Sequence, residues 1–329
     1  MSAKLFVVIP CYNEEEVLPE TSRRLKEKMA SLTEGGIITP DSKVLLVDDG
    51  SRDATWSLIE KLHQENPLFE GIRLSHNRGH QNALLSGLMT AKGRCDCCIS
   101  MDADLQDDIN AMDRFLEKFA QGCDVVYGVR SSRAKDTFFK RFTAQSFYRL
   151  MAAMGVETVY NHADYRLMSN RALEALGQYP EVNLFLRGLV PLAGFQSDTV
   201  AYERGERFAG ESKYPLKKML AFAIDGITSF SVKPLRLITG CGILVFLISL
   251  GILLYALIAW ILGKTVAGWT SVMGSLWLLG GIQLLSLGII GEYVGKVYSE
   301  AKRRPRFIIA RYLNDRGEDP VVDQCSREV

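Results

Sequence analysis

Two carboxylates two residues apart, at the end of an apolar run, are the most chemically suggestive feature of this sequence. The segment reads Ile99-Ser-Met-Asp-Ala-Asp-Leu-Gln-Asp-Asp108. An apolar strand that ends this way delivers two oxygen anions to one place. Hard divalent cations such as Mg2+ or Mn2+ favour such ligands, commonly one or two carboxylates completed by substrate phosphate oxygens. On this reading Asp104 is the main metal ligand and Gln106 adds a carbonyl oxygen, while Asp102 reaches the metal through water or binds a ribose. A lone Asp-x-Asp is usually a solvated turn; the strand-like Cys97-Cys-Ile-Ser-Met101 in front of it gives this one weight. The crowded thiols of Cys95, Cys97 and Cys98 are a poor zinc site, because only alternate residues of a strand share a face and no pair of histidines completes a tetrahedron. They read as small buried hydrophobes in a reducing compartment.

Two more polar clusters follow apolar runs, Cys11-Tyr-Asn-Glu14 and Asp48-Asp-Gly-Ser51. The elements that must position all three clusters alternate. Strands are expected at Leu5–Pro10, Val44–Asp48, Ile72–Ser75, Cys97–Met101 and Asp124–Val129, with helical periodicity over Glu14–Ser31, Thr55–Glu65 and Ile109–Gln121. That pattern predicts an α/β fold with a mostly parallel sheet flanked by helices, whose ligands bind beyond the carboxyl ends of the strands. Neither a Gly-x-Gly-x-x-Gly turn after the first strand nor a Walker A loop is present, which argues against a dinucleotide fold and a P-loop. The opening Lys4-Leu-Phe-Val-Val-Ile-Pro10 reads as that first strand and not as a secretory signal.

The chain has 329 residues and a net charge of +1, and no nucleic-acid partner is expected. Its regimes change near residue 235. No charge occurs between Arg236 and Lys264, or from Thr265 to Gly291, so Ile238–Leu262 and Val272–Ile290 each have the length of a bilayer-crossing helix. Trp260 and Trp269 bound their short connection. Basic residues gather before the pair (Lys213, Lys217, Lys218, Lys233, Arg236) and after it (Lys296, Lys302, Arg303, Arg304, Arg306, Arg311), whereas the connection carries Lys264 alone. The positive-inside rule then places both termini and the catalytic half in the cytoplasm, at the inner membrane. Basic aromatic stretches at Phe138–Met154 and Tyr214–Phe230 suit a headgroup layer or packing on the catalytic domain or a neighbouring subunit, with the membrane favoured for the second because the first span follows it directly. The expected division is a catalytic domain over 1–212, an amphipathic segment over 213–235, two spans over 236–292 and a basic tail over 293–329, polar and unstructured from Asn314. Glycines at Gly280, Gly281, Gly288 and Gly291 would allow helix packing and a homo-oligomer.

Val7-Val-Ile-Pro-Cys-Tyr-Asn-Glu-Glu15, Val47-Asp-Asp-Gly-Ser-Arg-Asp53 and Met101-Asp-Ala-Asp-Leu-Gln-Asp107, in that order and spacing, resemble the inverting GT-A glycosyltransferases of family 2. Ala163-Asp-Tyr-Arg-Leu-Met-Ser169, Arg207-Phe-Ala-Gly-Glu-Ser-Lys-Tyr214 and Leu287-Gly-Ile-Ile-Gly-Glu-Tyr-Val-Gly-Lys296 are similar to its polyprenyl-phosphate branch, that of dolichol-phosphate mannose synthase and the GtrB-type bactoprenol glucosyltransferases. The resemblance implies a nucleotide-sugar donor, a polyprenyl phosphate acceptor and a Mg2+ or Mn2+ cofactor. It implies that Pro10, Tyr12 and Glu14 hold base and ribose, that Asp49 accepts a hydrogen bond from the base, and that Asp102, Ala103, Asp104 and Gln106 line metal and donor. Arg130 would lie near the diphosphate, and Arg207 and Lys213 on donor or acceptor phosphates. His80 and Gln81 would line the donor side or cap the helix that follows. Asp164 is the candidate base, or orients the acceptor through Arg166. Asn161-His-Ala163 departs from relatives that often carry glycine there. Glucose from a UDP donor is favoured, ahead of N-acetylglucosamine, galactose and mannose. A processive polymer synthase is disfavoured because no Gln-x-x-Arg-Trp occurs, and an inactive membrane adaptor is the non-enzymatic alternative.

Overall fold

The computed structural model describes residues 2–130, 162–182, 184–203, 205, 228, 233–262, 268–315 and 317–319. Strand β1 (Leu5–Cys11) is buried along its whole length, as a central strand covered on both faces must be. Strands β2 (Lys43–Asp48) and β4 (Cys97–Ser100) flank it in parallel, and β3 (Phe69–Leu74) lies parallel outside β2. Beyond β4 the sheet becomes mixed. Strand β6 (His162–Ser169) runs antiparallel between β4 and β5 (Val125–Arg130), and β7 (Ser197–Tyr202) continues parallel to β5. At the opposite edge β8 (Ile309–Asn314) and β9 (Gly317–Asp319) add antiparallel pairs. Among the described residues, the order is β7-β5-β6-β4-β1-β2-β3-β8-β9. The expected fold class holds.

Helices α1 (Leu18–Glu34), α2 (Thr55–Glu65), α3 (His80–Ala91), α4 (Ala111–Ala120), α5 (Asn170–Gly177) and α6 (Leu186–Leu192) accompany the sheet. In α1 the buried Leu18, Leu25, Met29 and Leu32 recur at helical spacing and enter the main core with Leu5, Val7 and Ile9 of β1. Helix α3 lies unusually close to the sheet. A Cβ on Gly87 would stand 2.4 Å from a Val8 methyl and 2.8 Å from one of Val47, so only glycine lets the helix settle there. The crossover from β3 thereby sets His80, its first residue, at the carboxyl edge of the sheet.

The chain divides into two compact units: one holds the sheet together with the residues after Arg303, the other spans residues 215–303. The second contains helices α7 (Lys233–Ile261) and α8 (Trp269–Ala301). Leu244, Leu247 and Leu254 of α7 and Leu276, Leu284 and Leu287 of α8 are exposed, unlike the side chains of a soluble core helix. Among the described residues, Leu278–Ala301 is long and apolar enough to cross a membrane, and none of that window is buried. The two basic aromatic stretches lie outside the described residues, save for residue 228.

The segment after α8 differs from the unstructured tail expected from Asn314. Glu70, fully buried in β3, receives two hydrogen bonds from Arg94 at 2.7 and 2.9 Å and one from the Tyr312 hydroxyl at 2.7 Å. Lys43 bonds Asp315 at 2.7 Å. The run Phe307-Ile-Ile-Ala-Arg-Tyr-Leu313 suits a strand, but the partners that place it, Glu70 and Arg94, are remote along the chain. Arg94→Ala is expected to strand the Glu70 carboxylate and lower stability by about 3 kcal/mol, near the low end for a broken buried pair because Arg94 is partly exposed. Thermal unfolding of the detergent-solubilised protein checks this.

Candidate active site

The loops after β1 and β2 are tied into one body. Asn13 adopts a left-handed backbone, φ +55°. Its side-chain oxygen accepts the Arg52 N–H at 2.9 Å, its own N–H donates to Ser51 Oγ at 3.0 Å, and the Glu14 N–H donates to Thr55 Oγ1 at 2.9 Å. Tyr12 is left 42% exposed and Glu14 partly exposed. Pro10 instead lies buried within β1, opposite Val47, where it shapes the strand end and offers no surface to a ligand.

Asp49 also differs from expectation. It is 2% exposed, and its two oxygens accept the backbone N–H groups of Arg78 and Gly79 at 2.7 and 2.9 Å. Burial raises its pKa, and those two hydrogen bonds pull the other way. Gly50 permits the approach: at φ +68°, a Cβ would meet the Asn77 nitrogen at 2.8 Å. Asp49 thus fixes the turn that starts α3 and does not stand open to a base.

The turn after β4 is braced from several sides. Thr21 Oγ1 donates to the Ala103 carbonyl at 2.8 Å, Tyr165 Oη to the Asp108 carbonyl at 3.0 Å, and the Gly205 N–H to the Gln106 carbonyl at 2.9 Å. Leu105 is left-handed at φ +58°, and the Gln106 N–H closes back on Asp104 Oδ1 at 3.2 Å. Strand β6 pairs Ser100 with Arg166, so the same register carried two residues further sets Asp102 abreast of Asp164. Ser100 Oγ donates to the Asp164 carbonyl at 2.6 Å. His80 Nε2 stands between the two carboxylates, 3.6 Å from Asp102 Oδ1 and 3.7 Å from Asp164 Oδ2.

Asp164 is gripped by two guanidiniums. Arg166 donates to Oδ1 at 2.7 Å, and Arg187 to Oδ1 at 3.2 Å and Oδ2 at 3.0 Å. Burial opposes its ionisation, but Arg187 and Arg166 together outweigh it and hold the group well below the usual carboxylate range. Arg166 is 1% exposed, with its other bond to the Leu186 carbonyl at 3.4 Å, so it supports Asp164 from beneath and offers no surface to an acceptor. The outward partner is Arg187, on α6. Gln81 accepts the N–H of Leu186, the first residue of α6, at 2.9 Å, and so helps to place Arg187.

Asp107 is buried and accepts the Tyr202 hydroxyl at 2.5 Å, with Arg130 beside the pair. Burial raises Asp107, while Tyr202 and Arg130 favour its charge. Asp102 is raised to about 6, first by lost hydration; His80 opposes the shift, and the carboxylates of Asp107, Asp164 and Asp104 add to it. Among the described residues, no group of three or more His, Cys, Asp or Glu side chains converges on one metal position. Asp102 and Asp104 lie close enough for their charges to interact, and the Gln106 N–H bonds Asp104. Arg207 and Lys213 lie outside the described residues. Arg187 was missed in the sequence; its one signal there is a lone cation inside the apolar run Leu186-Arg-Gly-Leu-Val-Pro-Leu192.

Comparison with known proteins now assigns the class. A model of glycosyl transferase family 2 matches residues 6–177, and the chain belongs to that family. A model of the GtrB C-terminal hairpin matches residues 233–297. The chain is 56% identical to YkoT of Bacillus subtilis, an uncharacterised glycosyltransferase, over 93% of this chain and 90% of that one. It is 38% identical to a bactoprenol glucosyl transferase of Shigella phage SfV, over 93% and 98% of the two chains. It is 37% identical to a prophage bactoprenol glucosyl transferase homolog of Escherichia coli K12, over 94% and 99%.

The raised pKa of Asp102 carries a stability consequence. Because the folded value lies above the unfolded one, near ~3.9, the protonated form is favoured by folding, and that contribution is lost as pH rises through about 6. Asp102→Asn is therefore expected to raise the thermal midpoint of the metal-free protein at about pH 7.5 and leave it nearly unchanged at about pH 4. Differential scanning fluorimetry at the two pH values checks this.

Proposed function

We propose that this chain transfers a sugar, glucose first among the candidates, from a UDP-linked donor to polyprenyl phosphate, with inversion at the anomeric carbon. The observation that carries the reading is the gathering of Asp102, His80, Asp164 and Arg187 at the tip of β4, in a chain that also holds two long helices with exposed apolar side chains. Relatives named bactoprenol glucosyl transferases, similar over nearly the whole chain, favour glucose and a lipid phosphate acceptor.

An oxygen of the acceptor phosphate attacks the anomeric carbon as the bond to the nucleoside diphosphate breaks, and the bonding pair departs with the diphosphate. An α-linked donor gives a β-linked lipid. Asp102, Asp104 and Gln106 would hold Mg2+ or Mn2+, which when bound offsets negative charge on the leaving group. A phosphate monoester, with its second pKa near ~6, is already largely dianionic at neutral pH, so the site needs no strong base. Asp164 suits that requirement. Held ionised by two guanidiniums, it is a weak base, and it serves by keeping Arg187 and His80 in place beside the reacting groups. Arg166 locks it from below. Arg130, Arg207 and Lys213 bind phosphates, Tyr12 and Glu14 the nucleoside, and Ala103 leaves room for the donor.

The membrane reading rests on connectivity as well as hydropathy. The sheet strands that precede α7 and strand β8 after α8 belong to one compact unit, and a folded unit is not divided by a bilayer, which supports an even number of crossings. With the basic flanks, this favours both termini and the catalytic unit in the cytoplasm. Tethering there raises the effective concentration of an acceptor whose tail cannot leave the membrane.

Purified protein given radiolabelled UDP-glucose, Mg2+ and undecaprenyl phosphate is expected to yield label that extracts into organic solvent. Asp104→Ala should reduce it by on the order of 100-fold or more. Asp164→Asn should lower kcat with little change in donor KM. Full activity in Asp104→Ala would contradict the metal assignment, label from another nucleotide sugar alone would reassign the donor, and tight donor binding without turnover would favour the inactive adaptor.

A further inference from the structure

A cleft of about 400 Å3 is built partly from the strand that follows the hairpin helices. Tyr12, Ser51, Arg73, His76, Asn77 and Arg311 line it. It lies at the carboxyl ends of β1, β2 and β3, the side on which an open parallel sheet takes ligands, and β8 closes its outer wall. The pairing of β8 with β3 slips at this point: Arg73 faces Arg311 and Leu74 faces Ile309, which leaves Ala310 as an extra residue. Bulges of this kind bend a strand and re-aim its side chains beside functional sites, and Ala310 also lines the cleft.

Arg311 is held by neighbours from α2. Its guanidinium lies 5.4 Å from the Trp56 ring centroid, across a ring that Arg73 also approaches at 5.5 Å, and Nη1 bonds Glu60 Oε1 at 2.6 Å. Its side chain is still 37% exposed. A planar guanidinium can stack on a flat heterocycle and donate to its carbonyl oxygens, and the half-exposed ring of Tyr12 offers an aromatic face in the same cleft. The volume falls in the lower part of the range for small-molecule sites, enough for a nucleoside.

We propose that Arg311 binds the nucleoside end of the donor, so that β8 is a wall of the donor site. This rests on the reading above that the chain uses a nucleotide sugar. It makes the segment beyond the hairpin a requirement for donor binding, and places a donor contact where the early motifs alone would not put one.

The test is titration of the full-length, detergent-solubilised protein with UDP in the presence of Mn2+, and with uridine alone, by calorimetry. Arg311→Ala is expected to weaken both by about tenfold or more, the scale of one hydrogen bond to a charged group, and to raise donor KM while kcat holds. Arg311→Lys keeps a charge for Glu60 but loses the planar fork, so it should weaken binding as well; it decides the matter if the alanine variant does not fold. Tyr312→Phe loosens the anchorage of β8 to Glu70 without touching the cleft lining, and should retain wild-type affinity. Unchanged uridine and UDP affinity in both Arg311 variants, or an equal loss in Tyr312→Phe, would overturn the proposal while leaving the transferase reading intact. A wild-type protein that binds no nucleotide would overturn both.

Discussion

Like charges repel, and the turn beyond β4 gathers Asp102, Asp104 and Asp107 on one side and Asp164 across from them. Much of the surrounding structure answers that repulsion. Asp164 is neutralised by Arg166 and Arg187, Asp107 is met by Tyr202 and Arg130, and His80 stands between Asp102 and Asp164. Asp102 keeps the residual strain, visible in its raised pKa. The backbone that carries these groups is held by bonds from α1, β6 and the segment after β7, which keep the carboxylates from spreading apart. Carboxylates held this close against their own electrostatics motivate the proposal that a cation binds there with the substrate.

The antiparallel strand β6 is the device that makes the arrangement work. Inserted between β4 and β5, it brings Asp164 level with Asp102, although the two are far apart in the chain. The same strand carries Arg166 inward and Tyr165 onto Phe115 and Tyr202, at ring distances of 4.7 and 5.3 Å. Site and core are therefore built from adjacent residues of one strand. At the far edge, β8 does a similar job by joining the sheet after the chain has made its two long apolar helices.

Much of this was legible in the sequence, for a physical reason. The parallel strands are buried on both faces, so they appear as continuous apolar runs, and Asp102 and Asp104 directly follow one of them. Strand β6 was harder, because Asp164 and Arg166 interrupt its hydropathy and it depends on partners from β4 and β5. Strand β8 lies in a largely apolar run, but its place in the sheet depends on Glu70 and Arg94 in two distant segments. The family resemblance implies a base contact for Asp49; the folded geometry shows its two oxygens accepting the Arg78 and Gly79 amides. Arg187 has no motif around it, and its meaning comes from the carboxylate that it faces.

In the proposed mechanism, carboxylates at the tip of β4 hold a cation that shares its coordination with a nucleoside diphosphate. Electron paramagnetic resonance of Mn2+ in the presence of the purified protein tests it most directly. Free Mn2+ signal is expected to fall on adding wild-type protein, to fall further when UDP is supplied, and to return to the protein-free level with Asp104→Ala. Mn2+ uptake that is indifferent both to UDP and to loss of the Asp104 carboxylate would contradict it.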